Sequence, residues 1–292
     1  MAKTVEQGFD TFIGWLKPLV SEHNKAASHK ESVKNCLINN LGCNQFFETG
    51  SFGNGTGVRH YSDTDYFAKC PAGNLYTDSA YTLRLVKEAL QTTFSSTPGI
   101  VVKNPAVRIP FGLYASERLE LTPAYYQGIV NTPVGNKYCY NIPDYDGGWM
   151  QSSPGAHIEY VNREDRRLKG KLKPLIQLVK AWKFYNQIPI YSFYLELRVT
   201  KYAASEKTII YDIDLKNIIK FLYEKDLPSI QDPMGISGFI RACKTEAKKN
   251  IALSKLATSY SRVMKAFNER DGNIDNAFYW WNMFFNGKFP AR

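Results

Sequence analysis

Hydrophobic positions recur every three or four residues from Thr4, with Val5, Phe9, Phe12, Ile13, Leu16 and Val20 on one face. That spacing predicts an amphipathic helix, which Pro18 should end near Lys17. Ser28, with Glu31 three residues on, fits a capping box for a second helix that carries Val33, Leu37 and Ile38 and stops near Gly42. The period then shortens to two. Residues 43–49 read as a strand, and Tyr66, Phe67 and Ala68 as a second that runs to about Lys69. A helix over about 79–94, strands at 100–102 and 106–109, and an alternating strand at 118–124 follow. Pro123 and Ala124 are expected to end the pairing of the last strand. Residues 138–154 concentrate Pro, Gly and Ser and read as loop, which places a boundary after 154.

From His157 the pattern is helical throughout. Leu172, Leu175, Ile176, Val179 and Trp182 form one buried face, with Pro174 tolerated in the first turn. Ser192 is placed to cap a further helix. Helices follow near 215–223, over 239–268 (a stretch long enough for more than one), and from Ile274, where the pattern is apolar nearly all round. Strands with a mixed sheet followed by helices alone predict an α+β chain, with residues 1–154 and 155–292 as its two parts.

The 292 residues leave ample length for a core, and 44% hydrophobic with 22% charged content is that of a globular protein. No apolar run approaches the roughly 20 residues of a membrane helix, and Met1–Gln7 lacks the apolar core of a signal peptide. A cytoplasmic location is the expectation. The five cysteines form no C-x-x-C pair, so a zinc site is not expected and reduced, mostly buried cysteines are. A net charge of +10 implies an anionic partner, nucleic acid or nucleoside triphosphate. Without a basic tail, the nucleic-acid option is the weaker. The densest basic stretch is Arg163, Arg166, Arg167, Lys169, Lys171 and Lys173.

Candidate chemistry concentrates between the first two strands, in Gly50-Ser51-Phe52-Gly53-Asn54-Gly55-Thr56-Gly57 and Asp63-Thr64-Asp65. Period two puts Asp63 and Asp65 on one face of an extended segment. Carboxylates that close repel unless a cation lies between them, and a hard divalent metal prefers oxygen ligands. The Gly50-Ser51 turn suits close approach to a phosphate. Asp144 and Asp146 share the Asp-x-Asp spacing without a strand or a Gly-Ser turn around them, and are expected to be solvated. Asp214, before Leu215, Ile218, Ile219 and Leu222, reads as a helix N-cap.

A strand leading into Gly-Ser, a loop and Asp-x-Asp resembles the nucleotidyltransferases of the DNA polymerase β superfamily. Lys180-Ala181-Trp182-Lys183, followed by Pro189-Ile190-Tyr191-Ser192-Phe193 and Glu196-Leu197, narrows this to the second-lobe signature of bacterial cyclic-oligonucleotide synthases, relatives of cyclic GMP-AMP synthase and oligoadenylate synthase (CD-NTases). The resemblance implies a polymerase β-like core with a mixed sheet, a helical second lobe and bracing N-terminal helices. It makes Glu120, three residues before Pro123, the third carboxylate beside Asp63 and Asp65, where relatives mostly carry Asp. It assigns the triphosphate to Gly50 and Ser51 from one lobe and Lys180 and Ser192 from the other, with Phe193 stacking on a base. The implied cofactor is two magnesium ions, with manganese able to substitute. The implied substrates are ATP and other nucleoside triphosphates, and the product a cyclic di- or trinucleotide that signals in anti-phage (CBASS) defence. An operon-encoded regulator or effector fits that setting, and activation by nucleic acid is not expected because the zinc insertion of the animal DNA sensor is missing. The alternatives are a template-independent enzyme making linear oligonucleotides or modifying an RNA or protein acceptor, and an inactive nucleotide-binding scaffold.

Overall fold

A computed structural model describes residues 4–19, 28–61, 63–112 and 117–292. Val20 of the first helical pattern lies outside them. Thr4 caps α1 (Val5–Leu16), its hydroxyl accepting from the Gln7 N–H, and the chain leaves the helix at Lys17 ahead of Pro18. The second helix, α2 (Lys30–Leu41), stops at Gly42, whose φ of 64° is the left-handed geometry that glycine adopts without penalty. The cap falls on His29 and not on Ser28, without a side-chain cap bond, and Glu31 accepts from Lys34 Nζ at 2.5 Å.

The strands are β1 (Gln45–Thr49), β2 (Thr64–Lys69), β3 (Val101–Lys103), β4 (Ala106–Phe111), β5 (Glu117–Thr132), β6 (Gly135–Pro143) and β7 (Trp149–Ser152). They form one mixed sheet in the order β1-β2-β5-β4-β3, with β6 added to β5 and β7 to β6. Among the described residues, only the β2–β5 pair is parallel. The crossover between those two strands carries α4 (Ser79–Thr93), after the short helical turn α3 (Gly50–Gly53) that follows β1. Asp78 caps α4 by accepting from the N–H groups of Ala80 and Tyr81.

Alternation sorts the side chains to two faces. Tyr66 and Ala68 of β2, Val107 and Ile109 of β4, and Leu119 and Leu121 of β5 bury against Val33 and Leu37 of α2 and Leu83, Val86 and Leu90 of α4. Phe67 turns the other way, into a smaller cluster with Ala124, Tyr140 and Ile142. Each such burial contributes about 1.5–3 kcal/mol, so a one-residue slip of either strand would cost several side chains at once.

Four expectations change here. Pro123 does not end β5. It sits where the strand exchanges partners, since pairing with β4 stops at Leu121 and pairing with β6 begins at Tyr125, and a residue without an N–H is tolerated there. Residues 138–154 are not mostly loop, because β6 and β7 occupy them around a tight turn. In that turn Asp144 Oδ1 accepts from the Asp146 and Gly148 N–H groups at 2.8 and 2.7 Å. The stretch 239–268 holds a single 23-residue helix, α9 (Glu246–Asn268), preceded by the two-residue strands β8 (Ile230–Gln231) and β9 (Phe239–Ile240). Finally, Cys43 and Cys70 form a disulfide, while Cys36, Cys139 and Cys243 are free and buried as expected. The β1–β2 ladder brings them together: Gln45 lies opposite Lys69, and Asn44 N–H donates to Lys69 O at 2.8 Å, which leaves the flanking cysteines adjacent and one step off register.

The chain divides into two compact units, one of Pro18–Glu159 with Met234–Ser237, the other of Met1–Lys17, Tyr160–Pro233 and Gly238–Arg292. The division expected after residue 154 falls inside α5 (Pro154–Arg167), because Pro154 opens a helix, as its fixed φ allows, and does not mark a linker. Moreover, α1 belongs to the helical unit. Phe9 meets Trp281 edge-on at 4.8 Å, and Phe12 meets Phe285 at 4.6 Å. The unit also holds α5 from Tyr160 onward, α6 (Leu172–Tyr185), α7 (Ser192–Ala203), α8 (Tyr211–Glu224), α9 and α10 (Ile274–Phe284). Contrary to the all-round apolar reading, α10 buries one face (Ala277, Phe278, Trp281, Phe284) and leaves Tyr279 exposed. Asp214 lies inside the first turn of α8 and is not its cap. Its carboxylate reaches back to the Ile210 N–H at 2.5 Å and accepts from the Tyr202 hydroxyl at 2.6 Å. Among the described residues no helix is long and apolar enough to cross a membrane.

Trp281 is fully buried against Phe9, Phe284 and Phe285. Trp281→Ala should lower the unfolding free energy by about 3–5 kcal/mol in urea titrations, through lost burial and the cavity left behind.

Candidate active site

The register of the sheet builds the site. Thr49, Asp65, Glu120 and Arg108 are successive partners across β1, β2, β5 and β4, one row running over four strands. Their neighbours in sequence (Tyr66, Leu119, Leu121, Val107, Ile109) fill the core beneath α2 and α4, so alternation turns the row to the opposite face. Asp63, two residues before Asp65, shares that parity, and the expectation that both aspartates share a face is met.

Arg108 bridges two of the carboxylates. Its Nη2 is 2.8 Å from Asp63 Oδ2 and 2.7 Å from Glu120 Oε1, and its Nε donates to Glu120 Oε1 at 2.8 Å. Arg118 lies on the other side of Asp63, with Nε 2.6 Å from Oδ1, and donates through Nη2 to His60 O at 3.2 Å. Burial foremost, and then the negative charge of Asp63, push the Glu120 carboxyl above the usual carboxylate range against the pull of Arg108. Burial acts to lower the Arg108 pKa, but the facing Asp63 and Glu120 carboxylates outweigh it and raise it.

Gly50 fits against this row closely. Its φ is 63°, and a Cβ on it would lie 1.9 Å from Asp65 Oδ2, so only glycine admits the carboxylate there. Ser51 follows in the α3 turn, which Asn54 N–H closes onto Gly50 O at 3.1 Å. The turn thus lies against Asp65, in the row that carries Glu120.

Asp63, Asp65 and Glu120 are a hard-oxygen donor set, the type a divalent cation of the magnesium class prefers. Asp63 Oδ1 is buried and lacks an aligned hydrogen bond despite its closeness to Arg118, which leaves it lone-pair capacity. The residues present fit such an ion chemically. As arranged, with Arg108 joined to two of them, no group of three acidic, histidine or cysteine side chains among the described residues converges in a metal-binding geometry.

The second-lobe residues are arranged differently from expectation. Lys180 is 2% exposed and paired with Glu196, so it is committed within the helical unit and is not presented to a ligand. One turn further along α6, Lys183 donates through Nζ to Ser192 Oγ at 2.7 Å. Ser192 opens α7 as its first residue, with Tyr191 in the cap position. Phe193 beside it is 42% exposed.

Four contributors were given no role in the sequence reading: Arg108 and Arg118, and Lys183 and Glu196, which it quoted only as part of the second-lobe motif. A signal for Arg108 was available, since it stands between Val107 and Ile109 at the same parity as Glu120. Nothing in the order of residues names Lys183 over Lys180, because the choice depends on which face of α6 is covered.

No family model matches the chain. It is 24% identical over 178 residues, 59% of its length and 52% of the relative's, to a probable cyclic nucleotide synthase of Bacillus cereus (strain VD146). It is 25% identical over 162 residues, 52% of its length and 47% of the relative's, to the cyclic AMP-AMP-AMP synthase of an Acinetobacter species. The chain thus spans about half the length of the curated relatives it matches. A structure of Escherichia coli CdnC with ATP superposes with a TM-score of 0.75 at 14% identity, covering 98% of this chain and 99% of that one. This chain has the CD-NTase fold. The α+β, polymerase β-like architecture expected from the sequence is therefore present, and sequence similarity also relates the chain to cyclic nucleotide synthases.

A buried ion pair that loses one partner leaves an uncompensated charge, whereas replacing both partners with apolar groups is close to neutral. Lys180→Met should cost about 3–5 kcal/mol in chemical denaturation, and Lys180→Met with Glu196→Leu should recover most of that loss.

Proposed function

We propose that the chain is a nucleotidyltransferase that joins nucleoside triphosphates into a cyclic di- or trinucleotide signal of anti-phage defence. The observation that carries this reading is the placement of Asp65 and Glu120 as register partners, with Asp63 at the same face and the Gly50-Ser51 turn closed over Asp65. That combination gathers oxygen ligands beside a glycine turn with backbone N–H groups for phosphate. The named activities of the Bacillus and Acinetobacter relatives, and the ATP in the CdnC structure, support the same substrate class.

Asp63, Asp65 and Glu120 would hold magnesium, or manganese in its place. When bound there, such an ion lowers the pKa of an acceptor hydroxyl and offsets the charge of the departing pyrophosphate. The chain's own groups orient the reactants. Gly50 and Ser51 receive the triphosphate at the sheet unit. In the helical unit the phosphate role passes from Lys180 to Lys183, whose ammonium already holds the Ser192 hydroxyl; lysine acts there as a point charge toward phosphate oxygens. Phe193 supplies a stacking face for a base, a contact that tolerates different bases. Catalysis is then mainly positioning and electrostatic stabilisation.

Incubation with radiolabelled ATP, GTP, CTP and UTP and magnesium or manganese, followed by phosphatase, tests the reading. A phosphatase-resistant product that disappears in Asp63→Ala is expected, and omission of single nucleotides identifies its bases. Products that are only phosphatase-sensitive would indicate linear oligonucleotide synthesis, and full activity in Asp63→Ala would remove the carboxylate assignment. Lys183→Ala should raise KM for nucleotide about tenfold or more, as loss of a charge-assisted phosphate contact of about 1.5–3 kcal/mol implies.

A further inference from the structure

We infer that Arg108 is a built-in counter-ion of the carboxylate site, one that competes with divalent metal for Asp63 and Glu120. The inference rests on the proposed metal role of those carboxylates and goes beyond it by naming what sets their affinity. Three negative groups gathered on one sheet face repel one another unless positive charge stands among them. In this chain that charge is covalently attached. A single nitrogen, Arg108 Nη2, contacts Asp63 and Glu120 at once, at 2.8 and 2.7 Å. Of the three carboxylates, Arg118 is paired with Asp63.

The bridge is well placed to form and to open. Arg108 is the direct register partner of Glu120, so its side chain need only lie along its own strand face to reach the carboxylate. Its side chain is nevertheless 32% exposed, so it has room to swing into solvent without disturbing Val107 and Ile109, which anchor β4 in the core. A cation that takes Asp63 Oδ2 and Glu120 Oε1 must displace the guanidinium from both. Arg108 therefore acts as a positioning residue that holds the carboxylates ready and weakens metal binding in the same contact. The glutamate at position 120 suits this arrangement, because Glu120 Oε1 accepts from both Nε and Nη2 of Arg108.

The test is Mn2+ binding to the full chain after chelator treatment, with free Mn2+ followed by electron paramagnetic resonance. Removing one unit charge at contact distance should tighten Mn2+ binding by Arg108→Gln about tenfold or more relative to the native chain. The metal-free Arg108→Gln protein should also melt below the native chain, and saturating Mn2+ should raise its melting temperature more than it raises that of the native chain. Binding as weak as native or weaker in folded Arg108→Gln, with native binding lost in Asp63→Asn, would overturn the competition and leave the metal assignment standing. Absence of Mn2+ binding in both proteins would overturn the metal assignment and the competition together. Arg118→Gln, which removes a contact to Asp63 together with the bond to His60 O, provides a second variant should Arg108→Gln not fold. A smaller tightening is expected there, and unchanged affinity counts against the inference.

Discussion

The parallel pairing of β2 with β5 is the constraint on which the sheet unit and its site depend. One register brings Leu119 and Leu121 into the core beside Tyr66, and the same register places Asp65 beside Glu120 on the opposite face. Because side chains alternate strictly, the apolar burial that holds the strands in place also holds the carboxylates together. The electrostatic cost of that gathering is met within the sheet by Arg108 and Arg118, and at close quarters by a glycine that leaves room for the Asp65 carboxylate. Core packing and site geometry are thus two faces of one arrangement.

The helical unit solves a related problem in another way. Lys180 and Glu196 neutralise each other inside it, next to Trp182, which donates to Ser259 Oγ at 2.8 Å and stacks on Phe284. A buried charged pair fixes how α6 meets α7, since any rotation of either helix would strand a charge in a low-dielectric interior. With that relation set, Lys183 arrives at Ser192 and Phe193 remains at the surface. The lysine that the motif brings forward is therefore the one that orders the helices, and its neighbour one turn on is the one with a partner at the start of α7.

The contrast between Asp63, Asp65 and the other paired aspartates follows from backbone context. Asp144 and Asp146 lie in a tight turn, where Asp144 serves the local N–H groups. Asp212 and Asp214 lie in the first helical turn, where Arg270 pairs with Asp212 at 3.2 Å and the Ile210 N–H holds Asp214. Identical spacing yields three different structures, because an extended chain, a turn and a helix project alternate residues in different directions.

Much of this was legible in the sequence. Period-two and period-3.6 patterns locate most of the strands and helices; Gly42 and Pro18 stop their helices, and Gly50-Ser51 with Asp63-x-Asp65 marks the site. The second half of β5 and the β6–β7 hairpin were hidden because Pro and Gly density reads as loop even when only the tight turn between strands needs those residues. The Cys43–Cys70 pair was hidden because it depends on the β1–β2 register across 27 residues. By itself the sequence determined which residues alternate, where helices end and which residues carry oxygen ligands, since those are local properties of a few neighbouring residues. Only the tertiary structure decided that Arg108 meets Asp63 and Glu120, and that Lys180 is buried while Lys183 reaches Ser192. Those outcomes turn on which strands and helices become neighbours, and each contact is settled by burial and charge contributed from distant parts of the chain.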